Sequence, residues 1–114
     1  MTSNSEKKDI AIVGLSCQFA GAENYSEFWS NLFNGICSVN EITDRWDIDK
    51  YYSEDFTLNN KMISKMGGFL KNIEYFDNHF FNLSTTEVKS LDPQQRLLLE
   101  ETWKCIEDSG IALD

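Results

Sequence analysis

The side chains that bring nucleophilic or ligand chemistry to this sequence are three cysteines, Cys17, Cys37 and Cys105, and one histidine, His79. A cysteine nucleophile acts as the thiolate and needs a base, usually histidine, within hydrogen-bond reach. Cys17 follows a short apolar run and sits in a loop, which makes it the candidate nucleophile, but no base stands beside it in the sequence. The odd number and wide separation of the cysteines argue against a disulfide framework. No CxxC pair occurs, and no second histidine stands three or four residues from His79 to complete a zinc site. Asp47, Glu87 and Asp92 stand where helices begin and read as caps or first-turn carboxylates, not as acid-base pairs. A Gly-x-Ser-x-Gly elbow, a His-Glu-x-x-His pair and a Gly-Lys-Ser phosphate loop are absent, and Gly14 to Gly21 has the wrong spacing for a dinucleotide fingerprint. The residues therefore assign no catalytic, cofactor-binding or metal-binding position.

The elements that would position such groups are more legible. Asp9 leads into Ile10-Ala11-Ile12-Val13-Gly14, an apolar, mostly β-branched run that reads as the buried strand of an α/β sheet. Asn24 with Glu27 predicts a capped helix that ends at Gly35, with Phe28, Trp29, Leu32 and Phe33 on one face. Ser38 to Ser64 predicts a long irregular connection holding at most one helical turn, and Gly67 to Leu70 a turn into a short extended segment. Phe76, Phe80 and Phe81 are spaced for a short helix, and Ser84 with Glu87 opens another. Asp92-Pro93 at the start and Gly110 at the end bound the strongest helix, in which Leu98, Leu99, Thr102, Trp103, Cys105 and Ile106 share one arc. Burial of Leu98, Leu99, Trp103 and Ile106 would contribute roughly 6 to 12 kcal/mol, and Cys105 on that arc reads as a small core hydrophobe. Leu97 falls on the other side, among Glu100, Glu101 and Lys104, either as a scattered surface residue or against a layer that this chain does not supply.

One strand among four or five helices is an unstable census, because a lone apolar strand cannot pair its backbone donors and acceptors while its side chains are buried. The sheet containing Ile10 to Val13 is expected to be completed from elsewhere. The composition fits a globular domain or part of one: 114 residues, 41% hydrophobic and 25% charged, with fifteen aromatic side chains. A net charge of −9 opposes a nucleic-acid partner. No apolar run approaches the roughly 20 residues of a membrane span, and the polar Met1 to Lys8 reads as a flexible leader and not a signal peptide. The expectation is a soluble, cytoplasmic protein.

Several segments in register resemble the beginning of a polyketide synthase ketosynthase domain, a beta-ketoacyl synthase of the thiolase-like superfamily. They are Asp9 to Phe19 (DIAIVGLSCQF), Glu27 to Trp29, Asp44 to Asp47 (DRWD), Gly67 to Leu70 (GGFL), Phe76-Asp77 with Phe80-Phe81, and above all Asp92 to Glu100 (DPQQRLLLE). The resemblance implies an α/β fold, here the incomplete N-terminal portion of a thiolase-like fold, mostly helices and loops with one clear strand. It divides the chain into the leader, residues 1–8, and a ketosynthase portion, residues 9–114.

The family condenses an acyl chain held on cysteine with a malonyl-type unit by decarboxylative Claisen chemistry. Its substrates ride on the phosphopantetheine of an acyl carrier protein, and its members are homodimers. Its nucleophile, in a Thr-Ala-Cys-Ser-Ser-type segment, and two later histidines all lie beyond the matched region. No catalytic residue carries over, Cys17 reads as structural and Arg96 as an ion-pair partner within the fold. The chain is accordingly expected to be the inactive N-terminal fragment of an acyltransferase, with no cofactor bound by this segment. The alternative is a truncated, non-catalytic product that binds full-length synthase. Two family prolines are replaced, by Ala20 in Phe19-Ala20-Gly21 and by Thr85 after Ser84.

Overall fold

Capping chemistry fixes where the helices start. In the computed structural model, which describes residues 9–112, the order is α1 (Tyr25–Phe33), β1 (Asn40–Glu41), α2 (Ile48–Tyr51), β2 (Met66–Gly67), α3 (Thr85–Ser90) and α4 (Pro93–Ser109). The expected leader, Met1 to Lys8, lies outside the described residues. Asn24 Oδ1 accepts the Glu27 N–H at 2.9 Å, while the Glu27 carboxylate reaches past the cap to accept from the Glu23 N–H. Ser84 and Glu87 form a reciprocal capping box, and the Ser84 hydrogen bonds hold the Glu87 carboxyl below its usual range. Asp92 accepts from the Gln94 N–H at 2.8 Å, with Pro93 in the first turn and Gly110 left-handed (φ 65°) at the stop.

The connection between α1 and α3 is irregular, as expected, and is held by a few stitches. β1 and β2 pair antiparallel, Asn40 with Gly67 and Glu41 with Met66, and the Ile42 N–H donates to Lys65 O at 2.8 Å. Tyr52 and Met62 make an isolated bridge that closes the loop between them. Phe76 to Phe81 does not form the predicted helix. Asp77 Oδ1 takes the Phe80 N–H, Asn78 Nδ2 donates to Leu83 O, and Asn82 is left-handed (φ 52°), so side-chain bonds capture the backbone groups that a helix would need. The aromatic spacing nonetheless reports a real cluster, with Phe76 stacked on Phe81 and Phe80 set edge-on to both Phe81 and Trp103.

Ile10 to Val13, the predicted strand, has no ladder partner among the described residues. Its side chains are uncovered: Ile10 is 93% exposed and Ile12 86%. Among the described residues, Ala22 and Ile42 are the only buried hydrophobics. The Cα radius of gyration is 20.4 Å, against about 13 Å for a compact domain of this length. Among the described residues the predicted apolar stripes are covered only in part, where Phe28 stacks on Phe19 and Trp103 meets Phe80.

The two proline replacements fall where the backbone would accept the ring. Phe19 and Ala22 exchange backbone hydrogen bonds at 2.8 and 3.0 Å around Ala20-Gly21, with Gly21 at φ 73°, a type II arrangement that favours proline at its first central position. Thr85 is the first residue of α3, where proline is also favoured. Ala20→Pro and Thr85→Pro are each expected to stabilise by about 0.4 to 1 kcal/mol through the unfolded chain. An upward shift of the urea midpoint at unchanged slope checks this, and a fall would show that the ring clashes.

Candidate functional site

Cys17 lies in a loop pinned to α4. The Leu15 N–H donates to Asp108 Oδ2 at 2.9 Å, the Tyr25 hydroxyl reaches Asp108 Oδ1 at 3.4 Å, and the Ser16 hydroxyl donates to Glu101. Gly14 backs directly onto the helix, where an added Cβ would stand 2.3 Å from the Cys105 carbonyl oxygen. These contacts join residues far apart in sequence and hold the end of the apolar run against the last two turns of α4.

The cleft at Cys17 brings carboxylates but no imidazole to the thiol. This cleft, of about 180 Å³, is lined by Ser16, Glu23, Asn24, Lys104 and Asp108 among others, with no histidine among the lining residues. Lys104 is engaged by Glu101 at 2.7 Å. His79 sits in the turn after Asp77, where its backbone carbonyl accepts from the Asn82 N–H. Cys37 is exposed, Cys105 is half-buried in α4, and all three cysteines are free thiols. Among the described residues no group of three His, Cys, Asp or Glu side chains is placed to hold a metal ion. Asp47 precedes α2 without a side-chain capping hydrogen bond, Glu87 is the first-turn carboxylate of the α3 capping box, and Asp92 caps α4.

A larger cleft of about 480 Å³ opens between the aromatic turn and α4, walled by Tyr75, Phe80, Phe81, Leu97, Glu100 and Trp103. Burial pushes the Glu100 carboxyl up, Lys104 opposes that shift, Glu101 adds to it and Arg96 opposes it. Arg96, expected to form an ion pair, has none among the described residues, and its Nε is buried without an acceptor. Leu97 is half-buried at this cleft, while Leu98 on the predicted buried arc is 69% exposed. The half-buried side of α4 thus carries Leu97, Glu100 and Glu101 together with Cys105 and Ile106 of the predicted arc, and the part of that arc at Leu98 is presented outward. The arrangement holds surfaces in place, and no histidine lines either cleft.

Sequence reasoning missed Gly14, Ser16, Glu101 and Asp108 as a unit. Each is unremarkable locally, and their contacts span 85 to 93 positions.

Comparison with known proteins gives this scaffold its family. Residues 7–114 match the family model described as beta-ketoacyl synthase, N-terminal domain. The chain is 41% identical over 111 residues to polyketide synthase ThaG of Burkholderia thailandensis, covering 96% of this chain and 2% of that protein. It is 43% identical over 111 residues to polyketide synthase 37 of Dictyostelium discoideum, covering 96% of this chain and 4% of the other. Among solved structures, the ketosynthase from module 6 of the bacillaene synthase of Bacillus subtilis superposes with a TM-score of 0.77 at 40% identity, over 90% of this chain and 17% of that one. The oxazolomycin ketosynthase domain OzmH KS7 of Streptomyces albus gives 0.77 at 37% identity, over 85% of this chain and 17% of its own. The chain therefore spans a small part of each relative, its mostly helical, loop-rich architecture is a portion of a thiolase-like ketosynthase domain, and it belongs to the beta-ketoacyl synthase family.

Proposed function

We propose that this chain is the N-terminal structural portion of a polyketide synthase ketosynthase. The complete enzyme would join an acyl group held on cysteine to a malonyl-type unit by decarboxylative Claisen condensation. On this reading the chain contributes shape and contact surface, and the thioester chemistry belongs to residues outside it. Its partners are the rest of the ketosynthase domain, a second ketosynthase subunit and, through the complete enzyme, a cytoplasmic acyl carrier protein bearing phosphopantetheine-linked substrate.

The observation that carries the reading is uncovered apolar surface. The chain exposes 9826 Å², about 3,400 Å² more than a compact protein of 13.2 kDa exposes. Covered by an equal area of partner surface, that excess corresponds to about 6,800 Å² in total, above the roughly 2,000 to 5,000 Å² of most obligate interfaces. Ile10, Ile12, Trp29, Phe33 and Leu98, each more than 60% exposed, are the side chains such an interface would desolvate.

Intact-mass analysis of the 114-residue chain after incubation with an acyl thioester tests the proposal. No adduct should appear at Cys17, and carbon dioxide release from a malonyl carrier protein should stay at background. Acylation of Cys17 followed by transfer to malonyl carrier protein would overturn the reading.

A further inference from the structure

We propose that the last two turns of α4 form a clamp that sets the register of Ile10 to Val13, with Asp108 as its positioning residue. The proposal deepens the reading above by naming how the chain offers its apolar run to the sheet it joins. In a strand, Ile10 and Ile12 point to one face and Ala11 and Val13 to the other, and a slip of one residue exchanges the faces. Such a slip must be prevented before neighbouring strands add, because the run makes no ladder of its own here.

Three contacts, different in kind, prevent it. Gly14 lets the backbone lie directly on the helix: a Cβ there would meet the Cys105 carbonyl oxygen at 2.3 Å and Ser109 Cβ at 2.9 Å. No neighbouring position could substitute, since Val13 and Leu15 each carry a large side chain. Asp108 Oδ2 then accepts the Leu15 N–H at 2.9 Å, which fixes one amide of the chain at one point along the helix. Ser16 donates to Glu101, about two helical turns before Asp108, so the chain is held at two places and its direction is defined as well as its position. The Tyr25 hydroxyl at 3.4 Å from Asp108 Oδ1 ties the start of α1 to the same carboxylate.

Sliding the chain by one residue would put a side chain where Gly14 lies and leave the Asp108 carboxylate facing a different amide. The bond to Asp108 is charge-assisted, which places it among the stronger single hydrogen bonds. The clamp therefore selects the register on which the sheet-facing side of the run depends.

Hydrogen exchange of individual backbone amides in the full 114-residue chain reads this directly. The Leu15 amide should exchange about tenfold or more slowly than that of Ile12, and Asp108→Ala should abolish most of the difference. Asp108→Asn, which keeps a carbonyl acceptor, should restore part of the protection, and α4 amides should stay protected in both variants. Equal exchange at Leu15 and Ile12 in the unsubstituted chain, or protection at Leu15 that survives Asp108→Ala, would overturn the proposal. The result does not depend on condensing activity, so the family-based reading of function and the clamp can fail separately.

Discussion

Gly14→Ala is expected to destabilise the chain by about 1 to 3 kcal/mol and to free residues 10–17 from α4. A single methyl has this effect because it would enter occupied space. Its nearest neighbours would be the Cys105 carbonyl oxygen at 2.3 Å, Ser109 Cβ at 2.9 Å and the Ser109 nitrogen at 3.0 Å, none of which can rotate away. Either the run lifts off the helix, giving up the Leu15 bond to Asp108, or α4 distorts in its last turn. Gly110 supplies the control. It is left-handed with φ 65° and has nothing within 4 Å of its Cβ position, so Gly110→Ala costs only the backbone preference, roughly 1 to 2 kcal/mol, and leaves the clamp intact. Urea unfolding followed by tryptophan fluorescence gives both stabilities, and exchange at Leu15 separates them: protection should be lost in Gly14→Ala alone. Unchanged protection in that variant would mean that the close approach does not hold the chain.

The contrast between these glycines marks what could be read from the sequence. Gly110 announces itself, because a helix pattern ending in glycine has one local explanation. The Asp92-Pro93 start and the Ser84-Glu87 box are equally local, and the structure places all of them where the residues indicate. Gly14 was legible only as the end of an apolar run, since its reason for being glycine is Cys105, 91 positions away. The aromatic turn failed for a related cause. Phe76, Phe80 and Phe81 have helical spacing, but Asp77 and Asn78 offer the backbone competing partners, and periodicity alone does not weigh those bonds.

The two leucines at the middle of α4 should respond unequally to the same charge. Periodicity puts Leu98 on the arc to be buried and Leu97 on the far side, yet in the chain Leu97 is half-buried at the aromatic cleft and Leu98 is 69% exposed. Leu98→Asp should therefore alter the stability of the 114-residue chain by no more than about 0.5 kcal/mol. Leu97→Asp should cost that chain roughly 1 to 3 kcal/mol, since a carboxylate would be placed beside Glu100, whose own carboxyl is already pushed up by burial. In a complete ketosynthase domain the order changes. If the outward stripe is the face that the remaining domain covers, Leu98→Asp leaves an unpaired charge in a buried interface, at about 3 to 5 kcal/mol, and should abolish soluble expression. Far-UV circular dichroism and urea midpoints of the chain, set beside soluble yield of the full domain carrying the same substitutions, make the comparison. Leu98→Asp tolerated in the full domain would show that this stripe faces solvent there too. The excess apolar surface would then have to be covered elsewhere, along Ile10 to Val13 and the Trp29 face of α1.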